Sequence, residues 1–292
     1  MRYRKRIIGI VILMIFFLQG CGNDTLQSMT QDEFDGKLKI AVSIIPEETF
    51  IREICGEKVD IITMIPPGMS PETYEPTPET MAIFQDADIY FAIGVPSEEA
   101  NIFSKINEET YVVRLNEEVA NTYDERFFEG GGRDPHIWLS LKRAKIIVEI
   151  MTEEISLLDE ENRAYYEENR NKYLEKIEKT SLLIDRMFEE SKANSFICYH
   201  PSFGYFAEEY GLIMYSLEEE GKEATPSHLQ EIIDLAKEKS IHTVFYQTEV
   251  DSRQSEAFAE EIDGQAIALS PLAANYLDNM EDMAKKIVEG MK

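Results

Sequence analysis

The sequence predicts an α/β protein of two lobes, each built on a parallel sheet, the two joined by one long rigid helix. Three observations carry this prediction. Early in the chain, short apolar runs rich in Ile, Val and Tyr alternate with segments of helical periodicity. Between residues 141 and 192 turn signals almost vanish, and charged residues interleave with apolar ones at helical spacing. After residue 195 the alternation of strand and helix resumes. Strands separated by helices do not pair as hairpins, so both sheets are expected to be parallel and covered on both faces.

In chain order, the first feature is a basic start, Arg2, Arg4, Lys5 and Arg6, followed by an apolar run at 7–18. That run is short for a bilayer span and has the length of a signal-peptide core. It ends in Leu18-Gln19-Gly20-Cys21, which resembles the bacterial lipobox, whose cysteine is diacylated and becomes the new N-terminus. Residues 1–20 are therefore expected to be a lipoprotein signal peptide, Cys21 the lipidation site, and 21–36 a polar, flexible tether. Two acyl chains anchor stably where one does not. The rest of the chain is expected at the cell surface, lipid-anchored to the outer face of the cytoplasmic membrane.

A first lobe is expected over 37–158. Its strands fall at 37–45, stopped by Pro46, at 59–65, closed by Pro66-Pro67-Gly68, and at 89–93 and 111–115. Helices are expected at 47–55 and from Pro78, with Thr77 as N-cap and Met81, Ile83 and Phe84 as the buried side. Residues 116–133 form a short acidic, Gly-rich segment. A helix over 141–158 precedes the linking segment, 159–192, which reads as one helix from 160 to 191. Ile177, Leu182, Ile184 and Phe188 mark its buried side. At about 30 residues it would span about 45 Å, enough to act as a spine between lobes. The second lobe, 193–292, repeats the pattern with strands at 195–199, 243–246 and 266–269. Its helices are expected at 203–210, 227–239, 252–262 and 277–289.

The formal charge is −27, and the leader carries four positive and no negative charges, so the remainder carries −31. Such a surface repels phosphates, which excludes nucleic acid as a partner, and attracts cations. Most of the carboxylates belong to solvated faces, the Glu-rich runs at 153–161 and 217–223 among them. Besides Cys21 only Cys55 and Cys198 are present, too few for a cysteine zinc site or a disulfide scaffold, while one bridge between them stays open.

Open parallel sheets bind ligands beyond the carboxyl ends of their strands. Three segments place chemistry-bearing residues there or in loops: PPGMSPETYEPTP at 66–78, DPHIWLS at 134–140 and YHPSFGYFAEEYGL at 199–212. Together and in this order they resemble the metal-binding solute-binding proteins of ABC importers, the cluster that supplies zinc and manganese permeases. That family reads PPG-x-x-PHxYEPTP, then DPHxWL, then a strand ending in H-D-x-F-x-Y-F-A-x-x-Y-G-L. The resemblance covers nearly the whole chain after the leader.

Carried over residue by residue, the resemblance implies that His136 and His200 ligate a metal. Glu72 stands where the family has its first histidine, and a carboxylate also binds zinc. Ser270 stands where the family has a late acidic ligand. Gln247 and Glu249 lie where the family often has an acidic residue facing the cleft. Asp134 would orient His136, since metal-bound histidines donate their other N–H to a carboxylate or carbonyl. Zinc-type members have histidine at the position of His200 and manganese-type members a carboxylate, so zinc is expected, with manganese or iron as the alternative for a set of two histidines and one glutamate. The histidine-rich loop of many zinc members is missing, and 116–133 stands in its place. Trp138 and Tyr74 read as cleft-wall packing, and His228 and His242 as structural or surface residues.

The function so implied is capture of a divalent metal and its delivery to an ABC import permease, by a monomer that is not an enzyme and whose metal site lies in the inter-lobe cleft. Two other classes stay open. One is a surface adhesin that keeps the fold without the metal. The other is a secreted metallohydrolase, which the absence of an HExxH motif disfavours.

Overall fold

A computed structural model describes residues 36–191, 194–218, 224–249 and 252–291. The leader, Cys21 and nearly all of the tether lie outside these residues, as do parts of the linking segment and of the 217–223 run.

The first sheet has the order β2-β1-β3-β4 and every ladder in it is parallel. Its strands are β1 (Leu38–Val42), β2 (Val59–Thr63), β3 (Ile89–Ala92) and β4 (Tyr111–Arg114). Ile40, Ala41 and Val42 are fully buried on both faces, as continuous apolar runs in a covered parallel sheet must be. The first strand ends three residues before the expected stop. Pro46 does not follow a strand but sits in the first turn of helix α1 (Ile45–Cys55), where its missing N–H costs nothing. Glu47 reaches back to accept the backbone N–H groups of Ser43 and Ile44, each at 3.0 Å.

Helix α2 (Pro78–Phe84) starts as expected, with the Thr77 hydroxyl accepting the Thr80 N–H at 3.1 Å. Met81 and Phe84 are buried, but Ile83 is 54% exposed. It lies two residues from Met81 and so on the far side of the helix. Residues 116–133 contain more structure than their composition suggests. Helix α3 (Leu115–Ala120) follows β4 directly, and an antiparallel bridge joins Phe127 to Arg133.

Helix α4 (Leu141–Leu158) is capped by Ser140, whose hydroxyl accepts the Arg143 N–H at 3.2 Å. A 3₁₀ turn at Glu160–Asn162 then precedes the long helix α5 (Arg163–Glu190), 28 residues and about 42 Å. Its buried residues are Tyr166, Tyr173, Ile177, Ile184 and Phe188, at intervals of seven, four, seven and four. This is a heptad-like seam in which tyrosines supply two positions. Leu182 falls off the seam and is 48% exposed.

The second sheet repeats the first, with order β6-β5-β7-β8 and parallel ladders throughout. Its strands are β5 (Ser195–Cys198), β6 (Ile213–Ser216), β7 (Thr243–Gln247) and β8 (Gln265–Leu269). Strand β6 is absent from the sequence reading because it is a four-residue edge strand with no buried residue. Its helices are α6 (Gly204–Glu209), α7 (Pro226–Lys239), α8 (Arg253–Glu261) and α9 (Tyr276–Gly290).

From Leu38 onward the chain forms one unit. Helix α5 packs on α1, α4 and α9, and one hydrophobic cluster runs from Ile40 to Ile287 through both sheets, with a second around Ile197, Val244 and Phe258 within the second lobe. Cys55 and Cys198 are buried free thiols, so the bridge left open by the sequence is not formed. Among the described residues no helix is long and apolar enough to cross a membrane.

Candidate metal centre

In each sheet the chain crosses from one side of the first strand to the other, so a crevice opens at the carboxyl ends of β1 and β3, and again at those of β5 and β7. Glu72 lies in the loop between β2 and α2. There Gly68, at φ +81°, takes the left-handed conformation of a tight turn closed by the Met69 N–H to Pro66 carbonyl bond of 3.2 Å. The Ser70 hydroxyl donates to Glu72 Oε2 at 2.5 Å and leaves Oε1 to face inward. Two bonds from the helical segment after β3 hold this loop: Ser97 N–H to the Pro71 carbonyl at 3.2 Å, and the Asn101 amide to the Tyr74 carbonyl at 2.9 Å.

His136 lies in the loop before α4 and is buried. The fully buried Asp134 carboxylate takes its backbone N–H at 3.0 Å and stands 2.8 Å from Nδ1, while Arg126 steadies the same carboxylate at 3.4 Å. With Nδ1 so engaged, Nε2 faces Glu72 Oε1 at 3.1 Å. The Trp138 ring packs against this imidazole at 5.2 Å between centroids.

His200 comes two residues after β5, at the crevice of the second sheet, and is also buried. Its Nδ1 stands 2.8 Å from Glu218 Oε2, and its Nε2 lies 3.1 Å from the same Glu72 Oε1. That nitrogen has no hydrogen-bond partner of acceptable angle among the described residues. A buried nitrogen aimed at a shared point without a hydrogen bond is free to take a metal ion there.

Glu72, His136 and His200 therefore offer three donor atoms within 4.8 Å of one another. Donors around a tetrahedral zinc, each at 2.0–2.1 Å, stand about 3.3 Å apart. The two 3.1 Å separations are close to that spacing. In the absence of an ion the three groups form an ionic cluster. Burial alone would lower both imidazoles, but Glu218 and Glu72 raise His200 to about 9, and Asp134 and Glu72 raise His136. Burial raises the Glu72 carboxyl, yet the two imidazoles hold it well below the usual carboxylate range. All three shifts favour the charged forms, two imidazoles held around one carboxylate.

The other sequence candidates lie at the carboxyl ends of β7 and β8, the edge of the second sheet that also carries His200. Gln247 is buried at the end of β7, opposite Leu269 in the ladder. Glu249 follows two residues later and lies outside the group of three. The Ser270 hydroxyl is 3.4 Å from that of Thr248, and its carbonyl accepts the Asn279 amide at 2.7 Å. His228 and His242 stand apart, each bonded to a backbone carbonyl, of Ser216 and Ile262 respectively. Sequence reasoning missed Glu218. Its signal is a carboxylate two residues after a strand, and with β6 unrecognised it merged into an acidic run.

The chain matches the family model for the periplasmic zinc-uptake complex component A over residues 40–290. It is similar to the high-affinity zinc uptake system protein ZnuA of Bacillus subtilis (strain 168), 28% identical over 285 residues, covering 92% of this chain and 89% of the relative. It is also similar to the manganese ABC transporter substrate-binding lipoprotein PsaA of Streptococcus pneumoniae serotype 4, 26% identical over 265 residues and 85% of each chain. Among solved structures, a crystal structure of ZnuA matches with a TM-score of 0.82 and 31% identity, over 88% of this chain and 100% of that one. The periplasmic zinc-binding protein TroA from Treponema pallidum, 19% identical, shares the fold at a TM-score of 0.81, over 88% of this chain and 99% of that one.

Proposed function

The chain belongs to the zinc-uptake complex component A family, and from that premise we propose that it captures zinc outside the cytoplasm and delivers it to an ABC import permease. The observation that carries this reading is the convergence of Glu72, His136 and His200 on one point, with Asp134 and Glu218 fixing the rings from behind. Two imidazole nitrogens and one carboxylate oxygen suit zinc, whereas manganese asks for more oxygen. The protein acts as a binding protein and not as an enzyme. Residues 1–20 serve as its signal peptide, Cys21 carries the lipid, and 21–36 tether the binding unit to the membrane. It works as a monomer facing its permease.

The test is competitive titration of the full-length protein, solubilised in detergent, with zinc and manganese, beside His136→Ala and His200→Ala. One zinc bound tightly, and lost in both variants, supports the reading. Preference for manganese would move the cargo to that ion, and binding of neither would sink the importer role.

A further inference from the structure

Three donors converge at the centre, and a tetrahedral zinc takes four. Strand β7 runs parallel beside β5 with Phe245 opposite Cys198, so β7 and β8, which end in register at Gln247 and Leu269, reach the same edge of the second sheet as His200. One residue further, the Thr248 N–H bonds the Leu269 carbonyl at 2.9 Å, so the two strand ends stay side by side. Ser270 follows on β8, with a hydroxyl but no carboxylate. Glu249 follows on β7, and the Thr248 hydroxyl that lies 3.4 Å from Ser270 Oγ donates to Glu249 Oε1 at 3.0 Å. Thr248 thus holds the Glu249 carboxylate beside Ser270.

We propose that Glu249 is the fourth donor to the captured ion, brought in from the end of β7 in place of an acid at Ser270. The proposal rests on the metal-capture reading above. Its second oxygen, Oε2, is buried and has no hydrogen-bond partner among the described residues. A buried carboxylate oxygen without a donor is costly unless a cation comes to it. Burial raises the Glu249 carboxyl, and the negative charge of Glu72 raises it further, so the two carboxylates repel in the metal-free protein. A dication between them turns that repulsion into attraction on both sides. Glu249 lies outside the three-residue group, so ligation by it requires the segment after β7 to move toward Glu72, His136 and His200 on loading.

The experiment compares the full-length wild type with Glu249→Gln and with Glu249→Gln combined with Ser270→Asp. Zinc affinity is read by competition with a chromogenic chelator, and melting temperature is read with and without zinc. Glu249→Gln is expected to weaken zinc at least about tenfold, the lower end of what losing even an outer partner of a metal ligand costs. The same variant, relieved of a buried unpaired charge, melts higher than the wild type without metal and gains less on adding zinc. Ser270→Asp in that background restores affinity by supplying the acid from the neighbouring strand. A wild type that binds zinc and a Glu249→Gln variant that binds it equally well would overturn this proposal alone, with water as the fourth ligand. A metal-free variant that melts below the wild type would overturn it too, in favour of a structural role. A wild type that binds neither zinc nor manganese would overturn the capture reading with it.

Discussion

At the residue scale the centre depends on which nitrogen each imidazole presents, and two carboxylates decide that. Glu218 stands 2.8 Å from His200 Nδ1 and keeps Nε2 aimed at Glu72. It also lifts the His200 pKa to about 9 together with Glu72, against the effect of burial. A folded pKa above the unfolded value of about 6.5 means that this ion cluster stabilises the metal-free protein fully below pH 6.5. The contribution is lost as pH rises through about 9. Protons compete with zinc over the same range, so apparent zinc affinity rises with pH up to about 9 and then levels off. Glu218→Gln should lower the His200 pKa, shift the plateau of the affinity–pH curve downward, and cost roughly 10- to 100-fold in affinity at neutral pH. Imidazole titration by NMR and zinc competition from pH 6 to 10 check both parts, and an unchanged His200 titration would refute the role given to Glu218. His136 and His200 were legible in the sequence because each sits in a long motif. Glu218 was not, because its meaning comes only from a fold that sets residue 218 against residue 200.

At the scale of elements, helix α5 shows what periodicity reveals and what it hides. Its existence and near-full length follow from the lack of turn signals, but its buried face does not. The seam at Tyr166, Tyr173, Ile177, Ile184 and Phe188 uses amphipathic tyrosines at two places, which weakens the apolar signal. Leu182, apolar by type, points outward. The two positions therefore predict opposite responses. Ile184→Ala removes a fully buried side chain from this seam and should cost about 2–5 kcal/mol. Leu182→Ala should stay within about 0.5 kcal/mol of the wild type. Urea denaturation of the metal-free proteins measures both, and equal losses would mean the seam is wrongly placed. The edge strand β6 and the early end of β1 were illegible for a related reason. Half-exposed strands lack the continuous apolar run that betrays a buried one, and a proline at a strand's end is also a proline at a helix's start.

At the scale of the whole molecule, two lobes sharing one hydrophobic cluster need not behave as two cooperative units. The sequence shows the repetition of the αβ pattern, but not that α1, α5 and α9 weld the halves together, since that contact joins residues more than two hundred positions apart. Phe50 of α1 meets Tyr276 of α9 edge to face at 4.8 Å. Trp138, the only tryptophan, lies at this junction: its Nε1–H donates to the Pro271 carbonyl at 3.0 Å, and its own carbonyl accepts the Tyr276 hydroxyl at 2.5 Å. Its fluorescence therefore reports the contact between lobes, while far-UV circular dichroism reports the helices and sheets of both. If the lobes are welded, the two signals should follow one urea transition, and zinc should move both midpoints upward together. Trp138→Phe puts a smaller phenyl ring in place of the indole and leaves the buried Pro271 carbonyl without its donor, which by the lost hydrogen bond alone should cost about 1–3 kcal/mol and still give a single transition by circular dichroism. A fluorescence change that precedes the loss of secondary structure would instead mean that the lobes part before they unfold. Cargo release would then proceed by separation of the halves, and not by the small inward and outward movement of a strand end beside Glu72, His136 and His200.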